Sequence, residues 1–280
     1  MRPARRFAVV ALVALVAIPG VSAQAPAAVP TRPVLTAEQM DTFLRTAKIV
    51  SSRAVGTGVT NTRRVTLSDG TTTHDAQVQV IDEDKPVYRV QGYTEFNFRD
   101  CFCFNIAAYR LAVLLGLDNV PMSVERTVDG RPAAVTWWID DVVMDEDARR
   151  KSSAVDPNPA RFEHYRYRQR IFDELIQNRD RNLGNLLYTK DWTMWMIDHT
   201  RAFRLNRDLG KPAELLRIDR ALYANLKTLT AESLVKAVGT TLRKAEVDAL
   251  IARRDAILKV LDARIAQLSE PAVLYTPAVN

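Results

Sequence analysis

Cysteine is almost absent: the 280-residue chain has two, Cys101 and Cys103, separated only by Phe102. A bridge between them would close too small a loop to staple a fold, so a hydrophobic core must hold the chain together. A local bridge, free thiols and an intermolecular link all stay open. Histidine is scarce too. His74, His164 and His199 are scattered in sequence, which gives little support to a zinc site or a Ser-His-Asp triad. Lysine is sparse in the first half of the chain: between residues 24 and 150 only Lys48 and Lys85 occur. After the N-terminal segment, no apolar run approaches the length of a membrane span. No internal repeat is present.

The N-terminal segment is read separately. Arg2, Arg5 and Arg6 precede an apolar stretch from Phe7 to Ile18, and Val21-Ser22-Ala23 supplies small residues before a cleavage point. Residues 1–23 are therefore expected to be a signal peptide, and the Ala/Pro-rich residues 24–34 a linker. The competing reading is an uncleaved anchor helix, for which the stretch is short. No cysteine follows the cleavage point to carry a lipid. The expectation is an exported protein, periplasmic or secreted, with no stable membrane anchor. The chain has 39 Lys+Arg against 33 Asp+Glu, and removing the three arginines leaves 36 against 33. That small excess argues against a nucleic-acid partner, which would require a basic face or stripe.

Apolar residues make up 47% of the chain, with 10 Gly and 13 Pro, a composition that suits a globular core. Thr36-Ala37-Glu38-Gln39 has the pattern of a capping box opening a helix to about Ile49. Strand periodicity and turn residues follow: Arg64 to Leu67 before Ser68-Asp69-Gly70, Ala76 to Ile81, Val87 to Gln91, and a hairpin over 124–139 turning at Asp129-Gly130. A helix from Phe104 to Leu115, ending at Gly116-Leu117, interrupts them. The charged stretch 145–160 is expected to be a surface connection. Beyond it the chain reads as helical, with helices around 162–176, 213–226, 231–239 and 243–268. The fold class is therefore α+β, two-lobed, with a β-rich lobe over 35–142 and a mostly helical lobe over 143–280.

The richest motif is Asn178-Arg179-Asp180-Arg181-Asn182-Leu183-Gly184-Asn185, followed by Ile197-Asp198-His199. Between them, Leu186-Leu187-Tyr188 and Trp192 to Ile197 read as two strands around Thr189-Lys190-Asp191. A hairpin returns its second strand to the level at which the first began, so Asn185 and Asp198 should lie together. An Asp, an Asn five residues on and a second Asp make up the polar set of a phosphoryl-transfer site. The first carboxylate orients the attacking hydroxyl, and the other two hold Mg²⁺ or Mn²⁺ against nucleotide phosphates.

These segments resemble the catalytic and metal loops of atypical kinases: the phosphoinositide 3- and 4-kinases, HipA-type bacterial kinases and secretory-pathway casein-kinase-like enzymes. There an Asp-Arg-x-x-x-Asn loop replaces the usual His-Arg-Asp order, and Ile-Asp-x-x-x-Ala-Phe often marks the metal aspartate, as Ile197 to Phe203 does here. The resemblance implies a two-lobed protein-kinase-like fold with ATP between the lobes and Mg²⁺ or Mn²⁺ as cofactor. It makes Asp180 the catalytic base and Asn185 and Asp198 the metal ligands. Gly56, Gly58 and Thr60 would lie over the phosphates, and Trp137-Trp138-Ile139 would approach the hinge, with Trp138 beside the adenine. The partners implied are a nucleotide and a hydroxyl-bearing acceptor, whether protein, lipid headgroup or sugar. The match is sharp over 178–203 and diffuse over 50–140.

Two positions depart from the pattern. Gln79 stands where a kinase has its strand lysine, and Asn105 near where the following helix has its glutamate. The two amides can hydrogen-bond each other and a phosphate, but a neutral donor is roughly half as strong toward phosphate as a charged one. Arg63, Arg64 or Arg89 is a candidate for the missing charge. A non-catalytic kinase-like binding module and a nucleotidyl transferase on the same fold are therefore the rival readings. The four tryptophans read as core or interface aromatics apart from any such role.

Overall fold

The structure, a computed structural model, describes residues 35–55, 62–90, 92–179 and 181–277. The expected signal peptide and linker, Gly56, Gly58, Thr60 and Asp180 lie outside these residues. The first helix, α1 (Ala37–Thr46), begins with the expected capping box: Thr36 Oγ1 accepts from the Gln39 N–H, and Gln39 Oε1 accepts from that of Thr36. It stops short of Ile49. Ile49 and Val50 fall instead in β1 (Lys48–Ala54), where β-branched side chains suit extended backbone.

From β1 the chain builds an antiparallel sheet with β2 (Arg63–Ser68), β3 (Thr73–Gln79), β6 (Ser123–Val128) and β7 (Arg131–Trp137), in the order β1-β2-β3-β7-β6. The β6–β7 turn is Asp129-Gly130, both at positive φ, as a two-residue hairpin requires. Alternate residues Val65, Leu67, Ala76, Val78, Val124 and Val135 point to one buried face, which α1 covers with Phe43 and Leu44. Inserted between β3 and β6 are a separate two-stranded ribbon, β4 (Asp82–Val90) with β5 (Tyr93–Cys101), and the helix α2 (Cys103–Leu115).

Helix α2 belongs to the other core. It is apolar on nearly every side, and Ile106, Leu111 and Leu115 pack with Ile171, Phe172 and Leu175 of α4 (Pro159–Ile176). Its C-terminus is the expected Schellman end: Gly116 has φ 71°, and the Leu117 N–H donates to Ala112 O at 2.8 Å. Arg110 reaches Val238 O at 3.0 Å, and Asn225 caps Leu115 O at 2.9 Å. After α4 come β9 (Leu186–Thr189) and β10 (Met194–Met196), which form a small sheet with β8 (Val142–Asp145).

The helical half continues with α5 (Arg220–Thr228), α6 (Ala231–Val238), α7 (Lys244–Leu268) and the short α8 (Glu270–Val273). The first of these starts later than expected, because Pro212–Glu214 is a single 3₁₀ turn and Ile218–Asp219 pairs in parallel with Leu274–Tyr275. In α7, Arg253 is fully buried and donates to Leu175 O at 2.8 Å, to Arg204 O at 2.9 Å and to Asn206 O. The architecture is α+β, sheet first and helices after.

The charged stretch 145–160 is more than a surface connection. It contains α3 (Glu146–Ser152), capped by Asp145, whose carboxylate accepts from the Ala148 N–H at 2.7 Å. Glu146 is 1% exposed. It takes hydrogen bonds from Arg149 at 2.6 Å, from Arg150 at 2.8 Å and from the Tyr188 hydroxyl of β9 at 2.8 Å. Burial alone would push this carboxyl up, but the three donors outweigh it and bring it from an ordinary 4.5 down to about 2. A carboxyl depressed in the folded state stabilises above its unfolded pKa, and that stabilisation is lost as pH falls through the folded one. Glu146→Gln should therefore cost about 1–3 kcal/mol in urea unfolding at neutral pH. The gap to wild type should close between pH 4.5 and about pH 2; an undiminished gap at the acid end would contradict this account.

Candidate functional site

The β9–β10 hairpin sets the geometry. Its register pairs Met194 with Tyr188, Trp195 with Leu187 and Met196 with Leu186, so the residues just outside it face each other. The Ile197 N–H donates to Asn185 O at 3.1 Å, and Asp198 follows immediately. Asn185 ends a 3₁₀ turn (Leu183–Asn185), and its half-buried side-chain amide makes no hydrogen bond among the described residues. Asp198 has left-handed backbone, with φ 55°.

A chain of amides reaches Asp198 from the sheet. The His199 N–H donates to Asn105 Oδ1 at 2.8 Å, which fixes the orientation of that carboxamide. Asn105 Nδ2 therefore faces Gln79 Oε1 and donates to it. Gln79 Nε2 is left to donate to Thr62 Oγ1 at 3.3 Å and, in a long contact, to Asp198 Oδ1 at 3.5 Å. Gln79 ends β3 at 1% exposure, and Asn105 is in the first turn of α2 at 5%. Burial pushes the Asp198 carboxyl up, helped by the charge of Asp100; Gln79, Arg181 and Thr200 act against this. The His199 ring is fully buried against Phe172, and that burial holds it neutral.

Arg181 carries a role that the sequence reading did not give it. Its guanidinium donates to both oxygens of Asp173 on α4, the closest at 2.9 Å, to Asn185 O at 3.3 Å and to Ile197 O at 2.6 Å. One side chain thus ties the helix to both arms of the hairpin. A charged residue inside the motif was the only signal, because two of its three partners are backbone carbonyls.

Cys101 and Cys103 are joined by a disulfide at the junction of β5 and α2, just before Asn105. The Cys101 N–H donates to Thr200 O at 2.9 Å, which fastens the same junction to the segment after Asp198. Trp138 directly follows β7. Its N–H donates to Asp75 O at 3.2 Å and the Arg64 guanidinium sits 4.2 Å above its ring, with no contact to the Gln79–Asp198 group among the described residues. Arg63 is paired with Asp129 and Arg64 with Asp75, so neither charge is uncommitted.

Three solved structures share this arrangement of elements. Hydra Fam20, solved with sugar, superposes with a TM-score of 0.64 at 14% identity, covering 86% of this chain and 93% of that one. The Golgi casein kinase, solved with Mn and ADP, gives 0.61 at 14% identity, covering 86% and 80%. The Helicobacter pylori proinflammatory kinase CtkA gives 0.52 at 12% identity, covering 81% and 99%. The fold is kinase-like. No family model matches the sequence, and no curated protein matches it significantly.

Gln79 and Asn105, expected at the places of the strand lysine and helix glutamate, are in direct contact as amides. The donor set fits a hard divalent cation: one carboxylate plus one carboxamide oxygen with no internal partner. Among the described residues, no group of three or more His, Cys, Asp or Glu gathers for a metal. The remaining ligands of such an ion would be phosphate oxygens and water.

The Arg181–Asp173 pair is testable without any ligand. Both side chains are about nine-tenths buried, so Arg181→Gln should cost roughly 3–5 kcal/mol by stranding Asp173. In a double-mutant cycle with Asp173→Asn the two losses should overlap by at least about 1 kcal/mol. Strictly additive losses would show that the pair does not hold the hairpin to α4.

Proposed function

We propose that this protein is an atypical kinase that transfers the γ-phosphoryl group of ATP to a hydroxyl of a protein, lipid-headgroup or sugar acceptor. One observation carries the reading: the hairpin register that brings Asn185 beside Asp198 within a kinase fold. The Mn and ADP in the Golgi casein kinase structure support ATP with Mg²⁺ or Mn²⁺ as cofactors. The sugar in hydra Fam20 is compatible with a small hydroxyl acceptor.

In this reading the Asn185 amide oxygen and the Asp198 carboxylate hold the metal ion, which neutralises charge on the phosphates. Asp180 accepts the proton of the acceptor hydroxyl as its oxygen bonds to the γ-phosphorus and the bond to ADP breaks. Gln79 Nε2, already aimed at Asp198, donates to a phosphate oxygen where kinases use an ammonium group. Gly56, Gly58 and Thr60 cover the phosphates, and Trp138 borders the adenine. We further propose that residues 1–23 direct export, so that the mature protein acts outside the cytoplasm without a membrane anchor or a nucleic-acid partner.

The amide pair favours a second reading, a kinase-like module that binds nucleotide or a partner without turnover. A neutral Gln79 gives up about half the strength of a charge-assisted contact to phosphate. Parallel incubations with γ-labelled and α-labelled ATP and a mixed acceptor set separate the possibilities. Transfer of γ label alone is expected; α label would instead mean nucleotidyl transfer. Metal–ATP should raise the Tm of wild type and leave that of Asp198→Ala unchanged. Equal stabilisation of the two would remove Asp198 from the metal site, and no stabilisation of wild type would favour the binding module.

A further inference from the structure

A cavity of about 550 Å³ opens beside the loop that carries the motif. Asn178 and Arg179 on one side of position 180, and Arg181 and Asn182 on the other, line it. Its remaining walls come from α4, Arg150 of α3 and the segment around Gly210 and Lys211. The volume falls within the usual range of small-molecule sites, roughly 300–1,000 Å³. The lining is unusual for such a site, because it is rich in guanidinium groups.

Its charges do not cancel. Asp173 is spent on Arg181. Glu174 accepts from the N–H groups of Gly210 at 2.7 Å and Lys211 at 3.0 Å, so it serves to hold that loop. Glu214 alone faces two cations, at long range: Arg170 Nε at 3.8 Å and Lys211 Nζ at 3.5 Å. Arg170 Nε is buried and has no hydrogen-bond partner. Arg166 and Arg179 make no ion pair or hydrogen bond among the described residues. A buried guanidinium nitrogen without an acceptor is costly, and an arginine cluster lining an open pocket offers forked donors matched to a multiply charged oxyanion.

We propose that this cavity is the acceptor subsite and that it selects an acceptor already bearing a phosphate or sulfate monoester. The oxyanion sits among Arg166, Arg170, Arg179 and Lys211, and the free hydroxyl of the same small molecule faces the loop around position 180. This rests on the kinase reading and adds the acceptor's chemistry to it. A solvated arginine surface would bind no small anion selectively. An acidic peptide would use the same charges, and its binding is one outcome of the test.

The test uses purified protein in a chelating buffer without nucleotide, titrated calorimetrically with glucose 6-phosphate, glucose 6-sulfate, glucose and a glutamate-rich peptide. Both charged sugars should bind at least tenfold more tightly than glucose, and more tightly than the peptide. Arg166→Gln, at a residue with no ion pair to lose, should weaken that binding several-fold. Arg166→Gln with Arg170→Gln should abolish it, while Asp198→Ala keeps it. Indifference to the charged group, tighter binding of the peptide, or loss of binding in Asp198→Ala rather than in the arginine variants would overturn the proposal. Absent sugar-phosphate binding together with an intact metal–ATP response defeats this inference alone. Retained binding with no metal–ATP response removes the kinase reading, and with it the acceptor role.

Discussion

The carboxamide of Asn105 is the joint on which the site turns. It accepts from the backbone N–H of His199, next to Asp198, and donates to Gln79 at the end of a sheet strand. A side chain with one acceptor and one donor edge, each engaged, has a single satisfied orientation. That orientation forces the Gln79 amide to present its N–H groups toward Asp198. Removing the carboxamide would leave a buried carbonyl and a buried N–H unpaired together, each costing about 1–3 kcal/mol. The position of the Asp198 segment relative to the sheet is therefore set by hydrogen-bond complementarity at one residue.

What makes this joint effective is the company α2 keeps. The helix is threaded between strands of the sheet half, yet its apolar surface is buried in the helical core with α4, α5 and α6. Asn105 is thus held by the same packing that holds the β9–β10 hairpin. The fastening is repeated on each flank. Cys101 pairs with Thr200, Arg201 with Asp100, and Arg253 grips the carbonyls of Arg204 and Asn206. The segment after Asp198 therefore lies against β5 on one side and α7 on the other.

The local features were readable in the sequence. Five residues from Asp180 to Asn185 and a hairpin-length insert gave the meeting of Asn185 with Asp198, because a β-hairpin's geometry depends on its own register. The capping box at Thr36 and the Schellman end at Gly116 were readable for the same reason. Long-range preferences were not. Lys48 and Ile49 left the helix for an edge strand, where partners on β2 outweighed helix continuation. Glu146 reads as a surface charge until Arg149, Arg150 and Tyr188 surround it. The spacing of Cys101 and Cys103 left a bridge open without deciding it. Arg181 acts through backbone carbonyls, which have no signature in sequence. The arginine cluster beside the loop comes from three separate segments, and only folding brings them together.

An ion pair between a lysine and a glutamate titrates: it weakens as the medium turns acidic enough to protonate the one or alkaline enough to neutralise the other. Dissolved salt weakens it further wherever water can reach it. Gln79 and Asn105 have no proton to gain or lose over that range and no net charge to screen. The contact between Gln79 and Asn105 is thereby indifferent to the acidity and salinity of the surroundings. The chain thereby has a junction whose strength stays constant when the acidity or salt content of the solvent changes.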